Sequence, residues 1–212
     1  MKLGITVGEK PMHTDRKLLI EGLGEMVQER VAVGWMPYLL TFMFNPLGGT
    51  QKHQVALMND EIVRTYYKVL TRICRNPRNV PTHLKPLWIA SPDFPVHKHK
   101  KDNFQSIAVN DGLHFHALAL IPPENRLGRS FDTFINEKPE RFSGRDRYLR
   151  MLHILEITED ADYVAEYALK SINHGRTTFD DVLVLPYARS ERPSSTKWER
   201  LQIKKDGLKR RL

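Results

Sequence analysis

The stretch Leu113-His-Phe-His-Ala-Leu-Ala-Leu-Ile121 decides how this chain is read. A short, nearly continuous apolar run follows an Asp111-Gly112 turn and is closed by Pro122-Pro123, which is the pattern of a buried strand. Residues two apart on a strand share a face. His114 and His116 therefore project together, with Leu118 and Leu120. Phe115, Ala117 and Ala119 project to the other side, under helices. Two neighbouring imidazoles make a chelating pair for a divalent metal and need a third ligand. The alternative is a pair of histidines at the wet end of a strand, satisfied by their neighbours. The chain holds nine histidines, which makes that coincidence easier.

Working outward, Pro37 opens a short aromatic and apolar strand, Tyr38 to Phe44, ended by Asn45-Pro46 and Gly48-Gly49. Val55, Met58, Ile62, Tyr66, Val69 and Ile73 then recur at helical steps, and Arg75-Asn-Pro77 stops that helix. Pro86 to Ala90 reads as a second strand. A polar stretch containing His97-Lys-His-Lys-Lys101 separates it from the histidine strand. Residues 124–147 are charged and mostly irregular, with a short helix near Phe131–Ile135. Met151 to Ile157 reads as a fourth strand. Asp160 caps a helix running to about Ile172, with Gly175 just past its end, and Asp181 to Leu185 forms a last strand.

Ahead of all this, a helix is expected from Asp15 to about Val31, with Leu19, Leu23, Met26, Val27 and Arg30 near one face. Gly22 and Gly24 weaken it. The order strand, helix, strand, strand, strand, helix predicts an α+β fold. Its central sheet is mainly antiparallel, with helices packed on one face and the other face free to carry a site. The chain divides into an N-terminal extension (1–36), one domain (37–186) and a basic C-terminal tail (187–212).

Lys and Arg number 33 against 25 Asp and Glu, a net charge of +8, which suits a polyanionic partner. The single cysteine, Cys74, excludes an intramolecular disulfide and fits a reducing compartment. No apolar run reaches the length of a signal peptide or a membrane span. The expectation is a soluble, cytoplasmic protein with no membrane partner.

On the helix after Asp160, Tyr163, Tyr167 and Lys170 share one face by their spacing. A tyrosine hydroxyl with a reference pKa of about 10 is a weak nucleophile at neutral pH. A neighbouring ammonium favours the phenolate and can offset charge growing on a phosphate. The alternative is an amphipathic helix that packs both rings into the core. Val164, Ala165, Ala168 and Leu169 offer a separate apolar face, which would leave the tyrosines free for a ligand.

Together these strings resemble the HUH endonuclease superfamily, whose members start rolling-circle replication. His114-Phe115-His116 is similar to its metal-binding strand, Tyr163-Val-Ala-Glu-Tyr167 to its two-tyrosine helix, and Tyr167-Ala-Leu-Lys170 to its Tyr-x-x-Lys pattern. Leu40-Thr-Phe-Met-Phe44 looks like its first motif. The three motifs stand in the family's order across roughly residues 37–175.

The resemblance implies a ferredoxin/RRM-like nuclease fold and a bound Mg²⁺ or Mn²⁺. It implies single-stranded DNA, at an origin or hairpin, as substrate. It also implies a covalent 5′-phosphotyrosine on Tyr167, with Tyr163 as its alternate. The third metal ligand is expected at Asp93, with His97, His99 and Glu156 as alternatives. Lys98, Lys100 and Lys101 would contact DNA phosphates. No Walker-type phosphate loop is present, so a helicase and a polymerase of a bacterial host would be partners. The rivals are a transposase or mobilisation relaxase of the same superfamily, and a nucleic-acid-binding module without catalysis. A zinc-structured protein is disfavoured by the lone cysteine and by the absence of paired histidine spacing.

Overall fold

The computed structural model describes residues 12–93, 109–158 and 181–187. Its element order is α1 (Met12–Ala32), β1 (Met36–Phe44), α2 (Gln51–Ile73), β2 (Leu87–Asp93), β3 (His114–Ile121), α3 (Phe131–Asn136), β4 (Leu149–Glu156) and β5 (Leu183–Leu185). The five strands form one sheet in the order β4-β1-β3-β2-β5, and every pairing is antiparallel. The fold is therefore α+β, built on an open antiparallel sheet. β3 lies at its centre, which is why its sequence is apolar on both faces after the histidines.

Alternation divides the two faces. Tyr38, Leu40, Phe42 and Phe44 of β1, Trp88 and Ala90 of β2, and Phe115, Ala117, Ala119 and Ile121 of β3 meet Val55, Met58, Ile62, Tyr66 and Val69 of α2. Trp88 is fully buried among Phe42, Tyr66 and Phe131, with ring centroids at 6.0, 5.3 and 6.4 Å. Each such ring pair adds roughly 0.5–1.5 kcal/mol beyond area burial. Thr50 begins α2 by accepting a hydrogen bond from the His53 amide, and α2 gives way to extended backbone at Cys74.

The arrangement departs from the expected one-sided packing in one respect. α1 lies on the other face, where Leu23 and Val27 pack against Leu87, Ile89, Leu118 and Leu120. Helices thus flank both sides of the sheet. Sequence periodicity cannot say which face a helix lands on, because both faces of the sheet carry apolar strand residues. Arg30, expected on the same helix face, lies over the Trp35 ring with its guanidinium carbon 5.6 Å from the centroid.

β2 also runs three residues past its expected end at Ala90, through Ser91 and Pro92 to Asp93. β5 pairs only with Trp88, Ile89 and Ala90. At Pro92, β2 is therefore an edge among the described residues, where a missing amide hydrogen is tolerated. This extension carries Asp93 alongside the histidine strand.

Candidate metal centre

Asp93 ends β2, and His114 and His116 open β3. The register sets Asp93 opposite His114, Ser91 opposite His116, and Thr41 of β1 opposite His116. Residues directly opposite in an antiparallel pair share a face, so these five side chains gather at one end of the sheet. On the same face, Leu23 and Val27 of α1 pack against Leu87, Ile89, Leu118 and Leu120.

The three donors converge. His114 Nε2 and His116 Nε2 are 3.1 Å apart, and Asp93 Oδ2 is 3.6 Å from the first and 3.7 Å from the second. A point equidistant from the three atoms lies about 2 Å from each, the ordinary distance from a divalent ion to imidazole nitrogen or carboxylate oxygen. The Asp93–His114–His116 group could hold a metal ion. His116 is buried, whereas His114 and Asp93 are partly exposed, so a ligand can approach from the solvent side.

Hydrogen bonds prepare the imidazoles. His114 Nδ1 donates to the Gly112 carbonyl at 2.8 Å, which leaves a lone pair on Nε2 in the neutral ring. His116 Nδ1 lies 3.1 Å from Thr41 Oγ1. Donating to that hydroxyl, it too turns an Nε2 lone pair toward the common point. Two facing lone pairs at this separation repel, and a cation between them removes the repulsion. In the other tautomer of His116, Thr41 donates to Nδ1 and the Nε2 proton bridges to His114. The same side chains thus form a neutral hydrogen-bonded chain or a chelating set.

The Gly112 carbonyl is held in place by its loop. Asn110 and Gly112 both have positive φ, at 54° and 77°. Asn110 Nδ2 donates to the Asn45 carbonyl at 3.0 Å, and Asn110 Oδ1 accepts from the Leu47 amide at 2.7 Å. Asn45 Nδ2 in turn donates to the carbonyls of Gly144, Arg145 and Arg147 before β4. Two asparagines therefore tie together three loops at the end of the sheet that carries the donors.

Among the described residues, the face around the donors is mixed in character. The register lays Met43, Met151, His153 and Leu155 on the same side, and all four are exposed. Glu156, an alternative third ligand, pairs with Tyr38 and shares its side of the sheet, facing α2 and not the donors. Burial holds the Tyr38 hydroxyl above its usual pKa, and the Glu156 charge adds to that effect.

Among the expected site residues, Asp93, His114 and His116 are brought together. Tyr163, Tyr167, Lys170, Lys98, Lys100, Lys101, His97 and His99 lie outside the described residues. Thr41 stands in the Leu40-Thr-Phe string noted above, but its contact with His116 depends on register. The supporting roles of Asn110 and Gly112 are not evident from local sequence. A signal for the pair is present all the same, since Asn and Gly are the residues that most readily adopt positive φ.

Searches against protein-family models, curated proteins and solved structures find no match for the chain. Among the described residues no helix is long and apolar enough to cross a membrane.

Proposed function

We propose that the protein nicks and rejoins single-stranded DNA through a covalent tyrosine linkage, as an initiator of rolling-circle replication. The observation that carries this reading is the convergence of Asp93, His114 and His116 on one point, with the His114 Nε2 lone pair aimed inward and with His114 and Asp93 partly exposed to solvent. In this reading Asp93 would be the third ligand that the two histidines need. Mg²⁺ or Mn²⁺ is the ion proposed. Two imidazoles among three donors favour Mn²⁺ in affinity, because Mg²⁺ prefers an all-oxygen shell.

When bound, the ion supplies Lewis-acid polarisation of a non-bridging oxygen on the scissile phosphate. The chain's own groups do the rest. The Oη of Tyr167 attacks the phosphorus in line and loses its proton. The bond from phosphorus to the 3′ oxygen breaks, and that oxygen leaves as a 3′ hydroxyl. The protein retains the 5′ phosphate as a phosphotyrosine, so the exchange is reversible and the same site can rejoin strands. Lys170 offsets charge on the phosphate, and Tyr163 provides a second nucleophile for a second cut. Lys98, Lys100 and Lys101 grip the backbone through phosphate contacts that carry no sequence choice. In this reading the protein works in the bacterial cytoplasm, where host helicase and polymerase act on the freed end.

The test is cleavage of labelled single-stranded and hairpin oligonucleotides with Mn²⁺ or EDTA. It compares wild type with Tyr163→Phe, Tyr167→Phe and the double variant. A denaturant-resistant protein–DNA adduct that requires metal and vanishes in the double variant is expected. Binding without an adduct on any substrate, by folded and metal-loaded protein, would instead favour the non-catalytic nucleic-acid module. Mobile-element substrates distinguish the relaxase and transposase versions, which share the chemistry.

A further inference from the structure

The side of the sheet away from the donors carries two recesses. The larger, of about 750 Å³, lies between the C-terminal part of α2 and the loop that leads into β2. Among the described residues its charged lining is Arg78 and Lys85, with no carboxylate. Lys85 is 7% exposed and makes no side-chain hydrogen bond or ion pair among the described residues. Its stem is buried, whereas its ammonium is not among the buried unpartnered atoms and so reaches the solvent of the recess, where an anion can meet it. The smaller recess, of about 370 Å³, is lined by Arg72, Arg126, Arg129, Lys138 and Arg141 with one acid, Glu137. That acid is taken up by Arg129. Thr71 lines both recesses, so they meet at its side chain.

We infer that this face is a second nucleic-acid-binding surface, and that it takes the phosphodiester backbone of a strand. The sign of the ligand follows from a surplus of cations that no carboxylate of the described chain pairs. Its extent follows from the two adjoining recesses, which offer more cations than one phosphate can use. Tyr67, exposed at the rim of the larger recess, adds a ring on which a base can stack. The surface is separated from the metal centre by the thickness of the sheet, so strand bound here is held and not cut. The choice of nucleic acid over another polyanion rests on the nuclease reading, whereas the anion-binding character of the face stands without it.

Fluorescence anisotropy of a labelled, unstructured single-stranded oligonucleotide with the full chain in EDTA tests this across a salt series. The Arg72→Gln, Arg126→Gln, Arg141→Gln triple variant changes only exposed side chains, so it is expected to fold. Its affinity should fall at least tenfold, and the slope of log K against log salt should drop by about 0.7 for each phosphate no longer neutralised. Lys85→Met should weaken binding further while retaining volume. A folded triple variant that binds within twofold of wild type with an unchanged slope overturns the inference, as does absence of oligonucleotide binding by wild type. The nuclease reading fails separately, through the missing adduct.

Discussion

One face of the sheet changes character halfway along the same strands. Toward α1 its residues are Leu87 and Ile89 of β2 and Leu118 and Leu120 of β3, all buried under Leu23 and Val27. Two residues further along each strand stand Ser91 and Asp93, and His116 and His114. The backbone hydrogen-bond ladder is common to both halves, and only side-chain chemistry and the cover differ. Leu23 and Val27 of α1 cover the apolar half, and the polar donors stand where the register brings them together. The site is thus built on the most constrained part of the fold, because β3 has a partner strand on each side.

The sharpest break in this contrast comes from the donor end. His114→Ala with His116→Ala should abolish Mn²⁺ binding in a calorimetric titration while leaving thermal stability of the metal-free protein nearly unchanged. Retained binding would show that the ion sits elsewhere. At the covered end the outcome reverses. Leu118 is fully buried, so Leu118→Ala should cost about 2–5 kcal/mol in urea unfolding, with metal affinity of the folded fraction unaffected. A smaller effect is expected from Thr41→Val, which removes the oxygen beside His116 Nδ1 but keeps the shape. Mn²⁺ affinity should weaken roughly tenfold, the low end of what an outer-shell partner contributes. No change would mean that Thr41 does not orient the ring.

The helix-covered face supplies the mildest test. Burial raises the Tyr66 and Tyr38 hydroxyls above their usual pKa. The folded protein keeps these protons while the unfolded chain releases its own near pH 10, so stability should decline as pH rises beyond about 10. Urea midpoints at pH 9 and 11 measure the slope. Tyr66→Phe should flatten it, and should cost about 1 kcal/mol at neutral pH through removal of the hydrogen bond to the Pro86 carbonyl.

Much of this architecture is legible in the residues. The α2 stripe from Val55 to Ile73 and the alternation of β1 and β3 are periodic enough to fix element type and inward faces. The histidine pair is visible because a strand's period places both rings on one side. The role of Asp93 requires more, since Pro92 hides the continuation of β2 and only cross-strand register sets a carboxylate beside His114. The landing of α1 is not legible either. Its buried contact rests largely on Leu23 and Val27, a stripe too narrow to choose between two apolar surfaces. Thr41 and Asn110 act through contacts with residues distant in sequence, which no local pattern encodes.

The asparagine ties have a kinetic consequence. With Asn110 and Asn45 fastening the loops around Gly112, and the donors borne on paired neighbouring strands, the chelating atoms are in position before any ion arrives. Loading then requires no folding step, and unloading requires no unfolding. Occupancy should follow the free concentrations and intrinsic preferences of the surrounding divalent ions, exchanging as they change. A chelator should therefore strip any bound ion from the group reversibly and leave an intact protein able to rebind it.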